Sequence, residues 1–456
     1  MYHDLSTLSF PLPEDVTRAK LHGDFHTARQ LIHSWLGREI PQALRSRLEM
    51  ELDLILVMEK DEFPYTYEDA LRLMRSSVKD FRDEELRELW RTGAVDWIYI
   101  EGEVHFYRRF LSNLMKTRPA YAERSLKPLT PGSAALLNEN IRIMKENGGR
   151  SARLHLKASL KVEPNALQEG RKLRVHLPIP QETAQQVSEL RIVSSQPENG
   201  LPAPGSAKQR TIFWEAESRR DQEFSVEYTY VNRLPYVEPD PAKASPEQPS
   251  FDIEEQLPHI RFTPYLSSLL QEIVGGETNP VAKAWKIYEY ITTKVMYSFM
   301  RPYFTVENIS EYAAVNLKGD CGVQAILFIT LCRMAGIPAR WQSGLYAEPG
   351  DTGMHDWAQF YIAPWGWMYA DPSFGGSAYR AGDLERWKYY FGNLDIYRMP
   401  ANSELQSAFV PPKQYLRADP VDNQCGEAEY PDRGLFSWEI DCNHELLSLE
   451  ELPFEK

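Results

Sequence analysis

The sequence of 456 residues lacks several features that mark well-known classes of protein. It has only 4 cysteines, too few for the disulfide framework of a small secreted domain. It contains no apolar run near the roughly 20 residues that cross a bilayer. Its first residues show neither the basic start nor the apolar stretch of a signal peptide. We therefore expect a cytoplasmic protein with no membrane partner.

Positive charge is also in short supply, because 51 Lys and Arg stand against 65 Asp and Glu, a net charge of −14. Phosphate contacts need clustered Lys and Arg, so this balance excludes a general nucleic-acid binder. What the chain does have is a hydrophobic fraction of 43% and an aromatic fraction of 12%, enough to bury ordinary cores. Its length suggests about three domains.

The N-terminal region has apolar residues at spacings of three and four, which predict amphipathic helices. These patterns predict a helical domain over residues 1–125, with helices near 24–36, 41–56, 67–74, 84–90 and 102–115. One fragment, Gly23-Asp24-Phe25, is typical of a tetratricopeptide helix pair. No second copy follows at a fixed period, which favours an ordinary helical hairpin.

Near residue 150 the period changes from about 3.6 to 2, the spacing of half-buried strands. About five short strands predict an antiparallel, β-sandwich-like domain over residues 150–235. Linkers are predicted on both sides, at 126–149, with a short helix at 134–145, and at 236–258, which is rich in Pro and acidic residues. Residues 401–456 show no clear period, and we expect a loop-rich C-terminal extension.

Cys321 directly precedes an apolar run that Gly336 and Pro338 end, which predicts a buried helix of about four turns. Cys321 would lie in its first turn. There the free N–H groups and the positive end of the helix dipole favour a thiolate, the nucleophilic form of cysteine. A free cysteine is also often a small core residue, so this position alone leaves both interpretations open.

Two predicted strands, 354–362 and 366–370, place His355 at the start of the first and Asp371 at the end of the second. An antiparallel hairpin would bring the two side chains together. A thiol, an imidazole that accepts its proton and a carboxylate that orients the imidazole are what acyl transfer through a thioester requires.

Four motifs in this order resemble the transglutaminase-like superfamily: residues 319–322 (GDCG), 333–340 (RMAGIPAR), 355–357 (HDW) and 366–372 (GWMYADP). That superfamily has a papain-like fold and a Cys-His-Asp triad. It includes protein transglutaminases, peptide N-glycanases and bacterial proteins regarded as cysteine peptidases. The resemblance implies an α+β multidomain chain in which residues 259–400 form a papain-like transglutaminase core.

By this resemblance Cys321 is the nucleophile, His355 the general base and Asp371 its orienter, with no cofactor and no metal. Trp357 is a candidate for binding substrate, although tryptophans beside core strands also pack. The sequence departs from the family at two positions: Asp356 stands where a small residue is common, and Gln359 where an acid is common. These departures leave the triad intact but change the side chains available to hydrogen-bond around it.

The resulting hypothesis is a cysteine-dependent enzyme that acts on amide bonds of a protein or peptide. We favour hydrolysis over cross-linking, because the sequence shows no acidic cluster like that which holds calcium in animal cross-linking enzymes. The oxyanion hole would include the backbone N–H of Cys321. Asn308 and Tyr297 are candidates for a second donor.

Two alternatives remain open at this point. In the first, the chain is a catalytically silent interaction module whose functional surface is its helical N-terminal domain. Cys425, Cys442 and His444 are three soft ligands that would suit zinc, but no Cys-x-x-Cys pair accompanies them and a fourth ligand is missing. The oligomeric state does not follow from the sequence.

Overall fold

The computed structural model describes residues 5–127 and 133–455. They form two compact units. The first comprises the described residues up to 127 together with Met296–Glu307, and the second comprises the remainder. Part of the predicted linker 126–149, residues 128–132, lies outside the described residues.

The first unit is mainly helical, as its apolar spacing predicted. Its α-helices are α1 (Glu14–Leu21), α2 (Phe25–Leu36), α3 (Gln42–Val57), α4 (Tyr67–Ser77), α5 (Asp83–Arg91), α6 (Phe110–Thr117) and α7 (Pro119–Ala122). A π-helical turn (Met58–Glu62) and two 3-10 helices (Leu5–Ser9 and Tyr303–Thr305) complete the helical part. Asp24 begins α2 by accepting a hydrogen bond from the Thr27 backbone N–H at 2.9 Å.

A small antiparallel sheet also belongs to this unit, and it corrects the helix predicted over 102–115. The strands are β1 (Tyr65–Thr66), β2 (Trp97–Ile100) and β3 (Glu103–Phe106), in the order β1-β3-β2. Glu101 and Gly102 have φ values of 50° and 84°. Two successive residues with positive φ make the tight hairpin turn that joins β2 to β3.

Residues 296–307, which include the two-residue strand β10 (Met296–Tyr297), belong to the first unit and not to the predicted core of 259–400. Asn113 shows why. Its Nδ2 donates to the Phe299 carbonyl at 3.0 Å, and its Oδ1 accepts from the Phe299 backbone N–H at 2.7 Å. An ion pair between Arg301 and the buried Glu62 adds a second attachment.

The second unit contains the helices α8 (Ala134–Asn147), α9 (Pro264–Val274), α10 (Pro280–Lys294), α11 (Ile309–Asn316), α12 (Cys321–Met334), α13 (Pro372–Arg380) and α14 (Leu384–Tyr389). Two 3-10 helices, Pro241–Lys243 and Ser437–Glu439, accompany them. Every residue of α12 from Cys321 to Cys332 is buried, which confirms the predicted core helix. Helix α8 is not a linker element, because its Leu137, Ile141 and Met144 are buried.

Most strands of the second unit lie in three antiparallel sheets. The strands are β4 (Gly149–Val162), β5 (Lys172–Pro178), β6 (Val187–Gln196), β7 (Leu201–Pro202), β8 (Thr211–Glu217), β9 (Glu223–Pro235), β11 (Lys318–Gly319), β12 (Ala339–Glu348), β13 (Asp351–Ile362), β14 (Gly366–Ala370), β15 (Phe391–Gly392), β16 (Arg398–Asn402), β17 (Glu427–Tyr430), β18 (Arg433–Gly434) and β19 (Ile440–Leu452). The sheet orders are β19-β4-β9-β6, β18-β17-β5-β8-β7 and β15-β14-β13-β12-β16.

The C-terminal region is not the loop-rich extension that we expected for 401–456. Strand β19 pairs with β4 along its whole length, and β17 pairs with β5. The strands expected to form a separate domain over 150–235 are therefore completed by the end of the chain. A register shift between Leu446 and Ser448 breaks the period of 2 in β19, which hid this strand from the sequence pattern.

The third sheet carries the segment with the four sequence motifs. Strand β13 lies between β12 and β14, and α12 packs against it through Phe328 and Phe360, whose ring centroids are 5.6 Å apart. Among the described residues, no helix is both long and apolar enough to span a bilayer.

Candidate active site

Cys321 is the first residue of α12, as the sequence predicted. Asp320 caps the helix, and its Oδ1 accepts from the Val323 backbone N–H at 3.3 Å. The Cys321 side chain is nearly closed off from solvent, with 8% of its surface exposed. Its Sγ donates a hydrogen bond to Asp356 Oδ2 at 3.2 Å. Asp356 directly follows His355, the proposed general base, along β13.

The charge state of Cys321 also differs from the expectation of a stabilised thiolate. Burial raises the pKa of the Cys321 thiol well above its usual value, and the nearby carboxyls of Asp356 and Asp320 raise this pKa further. These effects outweigh the helix N-terminus, whose influence is modest for one turn of backbone dipoles. The raised pKa favours the neutral thiol over the thiolate at this position.

His355 and Asp371 lie side by side, as the predicted hairpin of β13 and β14 required. His355 Nε2 is 2.7 Å from Asp371 Oδ2. Asp371 follows β14 directly and caps α13, accepting from the Phe374 backbone N–H at 2.9 Å and from Ser373 Oγ at 3.0 Å. With Nε2 engaged by the carboxylate, Nδ1 is the ring nitrogen that remains to accept a proton from a thiol.

A buried arginine fixes the charge of Asp371. Arg398 Nη1 lies 2.9 Å from Asp371 Oδ2, and Arg398 Nε donates to Asp395 Oδ2 at 3.0 Å. Burial alone would raise the pKa of Asp371, but His355 and Arg398 together hold it at about 2. Burial lowers the pKa of His355, and Arg398 lowers it further against the opposing effect of Asp371. At neutral pH the pair is therefore a carboxylate and a neutral imidazole.

Trp357 supports this imidazole, and its predicted role in binding substrate is wrong for this structure. The side chain has no exposed surface. Its Nε1 donates to Gln342 Oε1 at 2.7 Å, and its ring stacks on His355 with centroids 6.1 Å apart. Gln342 Oε1 also accepts from Gln186 Nε2 at 2.6 Å. A tryptophan held in this way fixes the orientation of the histidine ring.

The segment after β16 supplies further groups to the site, although we expected this part of the chain to be a loop-rich extension. Gln424 Nε2 donates to Asp356 Oδ1 at 2.6 Å and to the His355 carbonyl at 3.1 Å. Asp422 Oδ1 accepts from Ser343 Oγ at 2.7 Å. One glutamine thus holds two consecutive residues of β13 next to Cys321.

Sequence reasoning missed Arg398, Gln424 and Asp422. Each lies outside the four motifs, and each reaches the site only because its strand or loop returns to the third sheet. The one local signal was the pair Asp395 and Arg398, three residues apart, and that spacing is common on protein surfaces.

Two further residues, Asn308 and Tyr297, were candidates for a second oxyanion donor. Asn308 caps α11, where its Oδ1 accepts from the Glu311 backbone N–H at 3.2 Å. Tyr297 belongs to the first unit, where its ring packs on Phe299. Neither placement identifies a second oxyanion donor, and the backbone N–H of Cys321 remains the one that the helix start provides.

Cys425, Cys442 and His444 do lie together. Hydrogen bonding from the Cys442 thiol, assisted by His444 and opposed by burial, lowers the pKa of Cys425 to about 6. Across residues 5–127 and 133–455, no group of three or more His, Cys, Asp and Glu side chains is arranged to hold a metal ion. The zinc alternative therefore gains no support from this cluster.

Comparison with known families agrees with the resemblance of the four motifs. Residues 267–372 match the family model described as the transglutaminase-like superfamily, and this segment is a transglutaminase-like core domain. An uncharacterized protein of Haemophilus influenzae is 27% identical over an alignment of 150 residues that covers 27% of this chain and 41% of that protein. The match thus spans about two fifths of the relative's length.

Two solved structures are similar to larger parts of the chain. One is named a "putative cysteine protease" from Cytophaga hutchinsonii, with 16% identity, coverage of 68% of this chain and 94% of that one, and a TM-score of 0.40. The other is the periplasmic domain of TgpA from Pseudomonas aeruginosa, with 14% identity, coverage of 58% and 100%, and a TM-score of 0.29.

Proposed function

We propose that this chain is a cysteine-dependent enzyme that cleaves an amide bond of a protein or peptide through a thioester on Cys321. The observation that carries the proposal is the 2.7 Å hydrogen bond between His355 Nε2 and Asp371 Oδ2. It leaves a neutral imidazole beside the residue, Asp356, that contacts the Cys321 thiol. A buried, oriented imidazole of this kind is suited to remove a proton.

The proposed reaction has two halves. In the first, His355 takes the thiol proton while the sulfur attacks the amide carbonyl, and the backbone N–H of Cys321 stabilises the oxyanion. The protonated His355 then gives its proton to the departing amine or ammonia, which leaves a thioester. In the second half, water attacks the thioester carbonyl and gives a proton to His355; the C–S bond then breaks, the carboxylic acid leaves, and His355 returns the proton to the Cys321 sulfur.

The choice between water and an amine in the second half defines the reaction class, and we propose hydrolysis. The test is to incubate the full chain with glutamine-containing peptides and electrophilic amides, with and without a lysine analogue. Adducts on each cysteine are then located by mass spectrometry. We expect an acyl adduct on Cys321 that water discharges faster than the added amine. Preferential discharge to the amine would make the protein a transferase instead.

Two variants make this test specific. His355→Ala should prevent the adduct, whereas Cys332→Ala should leave it unchanged, because Cys332 is a fully buried residue of the same helix. If folded protein forms no adduct on Cys321 with any of these probes, a catalytically silent interaction module becomes the better account.

A further inference from the structure

A cavity of about 690 Å³ lies in the second unit, outside the candidate active site. Residues of α8, α10 and α14 line it together with the segment 236–241, and we call it the α10–α14 cavity. The described residues that line it do not include Cys321, His355 or Asp371. Its volume is within the range that encloses small organic ligands, about 300–1,000 Å³.

One wall of the α10–α14 cavity is aromatic. Trp285 of α10 is half-buried, and its ring packs on those of Trp387 and Phe391 at centroid distances of 5.1 and 5.2 Å. Tyr236 is also half-buried, and its ring stacks on that of Tyr389 with centroids 6.5 Å apart. Aromatic rings held by other rings offer a planar apolar body a fixed surface on which to pack. This wall therefore suits a ligand with a planar, apolar body.

Hydrogen bonds hold the walls of the cavity in place without a ligand. Asn393 Oδ1 accepts from the Val237 backbone N–H at 2.8 Å, and Asn393 Nδ2 donates to the Val237 carbonyl at 2.7 Å. The Tyr389 hydroxyl donates to the Leu394 carbonyl at 2.6 Å. Because these residues are already ordered, a ligand loses little binding free energy to ordering the walls.

The charged side chains of the lining are three lysines and two glutamates. Both glutamates act on one of the lysines, Lys145. Lys145 Nζ lies 2.5 Å from Glu385 Oε1, and this hydrogen bond raises the pKa of Lys145. Glu238 raises the same pKa further. The negative charges of the lining are thus already matched with a cation.

The other two lysines are not matched in this way. Lys286 Nζ donates to the Val274 carbonyl at 3.2 Å. Lys388 is exposed, and its Nζ forms no ion pair or hydrogen bond within the part of the chain that the structure describes. In a protein with a net charge of −14, an unmatched ammonium group beside an aromatic wall favours a ligand with a negative charge.

We propose that the α10–α14 cavity binds a small organic anion with a planar, apolar body, such as an aromatic carboxylate or sulfonate. The body packs on Trp285 and Tyr236, and the anionic group pairs with Lys388. Binding at this cavity goes beyond the proposed amide cleavage and is independent of it, because no residue of the candidate active site takes part.

The experiment titrates the full chain with two fluorescent probes that differ in charge. Anilinonaphthalenesulfonate is an aromatic anion, and phenylnaphthylamine is its neutral parent without the sulfonate. Lys388→Gln removes the charge of the cavity lysine, and Ala282→Trp fills the cavity from α10. Lys294→Gln is the matched control, because Lys294 is an exposed lysine of α10 that does not line the cavity.

In the unsubstituted protein we expect both probes to bind a saturable site that Ala282→Trp removes. Lys388→Gln should weaken binding of the sulfonate probe about fivefold, as for the loss of one partly exposed ion pair. It should leave the affinity for the neutral probe unchanged, and Lys294→Gln should change neither affinity. This difference between the two probes is what a role of Lys388 in shape alone does not produce.

Three results overturn the proposal. If Ala282→Trp keeps the full affinity for the sulfonate probe, the probe binds elsewhere. If Lys388→Gln changes the two affinities alike, or changes neither, the cavity does not select an anion. Absence of a saturable site in the unsubstituted protein also contradicts it. Thermal unfolding shows whether each variant is folded, and if Ala282→Trp is not, the comparison of the two probes in Lys388→Gln decides alone.

Discussion

The two sides of the candidate active site differ in the charges that face their carboxyl groups. On one side Asp371 meets the guanidinium of Arg398 and the His355 ring, and its pKa is held at about 2. On the other side Asp356 meets Asp422 and Asp320, and burial together with these acids raises its pKa well above the usual value. Both groups are almost fully buried, at 0% and 4% exposure.

This difference shows that burial alone does not decide the charge of an acid. Desolvation raises the pKa of both groups. A cation with good geometry reverses the effect at Asp371, whereas neighbouring acids reinforce it at Asp356. The same protein region thus places an acid with a lowered pKa against the imidazole and an acid with a raised pKa against the thiol.

The largest expected effect comes from removing the thiol of Cys321, the proposed nucleophile. Cys321→Ala should abolish thioester formation, because no neighbouring group replaces a thiol as nucleophile. It deletes one small side chain at a helix start, so the free energy of unfolding should fall by at most about 1–2 kcal/mol. Adduct mass spectrometry and denaturant unfolding measure the two quantities. A loss of several kcal/mol would mean that Cys321 is mainly structural.

Replacing the charged Asp371 with a neutral residue should lower the activity by orders of magnitude. Asp371→Asn keeps the size of the side chain and its capping oxygen but no longer fixes the imidazole tautomer, so kcat should fall by about 10³–10⁴-fold. Turnover of a peptide amide checks this. The variant also neutralises one of the two acids, Asp371 and Asp395, that pair with Arg398 among the described residues, so unfolding should be followed in parallel. Activity within tenfold of the unsubstituted protein would contradict the proposed role of Asp371.

Replacing Asp356 with a neutral residue should change how the Tm depends on pH. The folded-state pKa of Asp356 is raised, so its contribution to stability is fully present below about pH 4 and is lost as pH rises. Asp356→Asn does not titrate and avoids this loss. Its Tm should match that of the unsubstituted protein near pH 4 and exceed it by ~2–4 °C near pH 8. Parallel Tm curves across this range would show that Asp356 is not protonated in the folded state.

The smallest expected effect concerns the ring that orients His355. Trp357→Phe keeps an aromatic face against the imidazole but leaves Gln342 Oε1 without one of its donors. We expect a loss of about 0.5–1.5 kcal/mol in stability and a fall in kcat of less than about tenfold, with KM unchanged. A rise in KM with kcat unchanged would instead indicate that Trp357 binds substrate. Steady-state kinetics separate the two outcomes.

The sequence was most informative where chemistry depends on neighbours along the chain. The position of Cys321 at a helix start, and the hairpin that brings His355 to Asp371, both follow from local patterns of apolar and polar residues. Local patterns also predicted α12 and most of the strands of residues 149–235. In these elements the apolar spacing along the chain is enough to identify the type of element and its buried face.

The features that could not be predicted from the sequence depend on contacts between segments that are distant along the chain. Arg398, Asp422 and Gln424 reach the site through β16 and the segment after it, and no period in their own sequence marks them as functional. The raised pKa of the Cys321 thiol was not predicted for the same reason, because helix position is local, whereas the carboxyl of Asp356 meets Cys321 only in the folded chain. Strand β19 was missed because its register shift removes the alternation that identifies strands.

The most direct test of the account is to measure, with one activated amide, the rate of Cys321 acylation in the unsubstituted protein, His355→Ala and Asp356→Asn. If His355 is the base and Asp356 only holds the thiol, His355→Ala should lose about 10²–10⁴-fold. Asp356→Asn should keep or exceed the original rate near neutral pH. The opposite pattern, with activity kept in His355→Ala and lost in Asp356→Asn, would show that Asp356 is the base and would contradict the central claim.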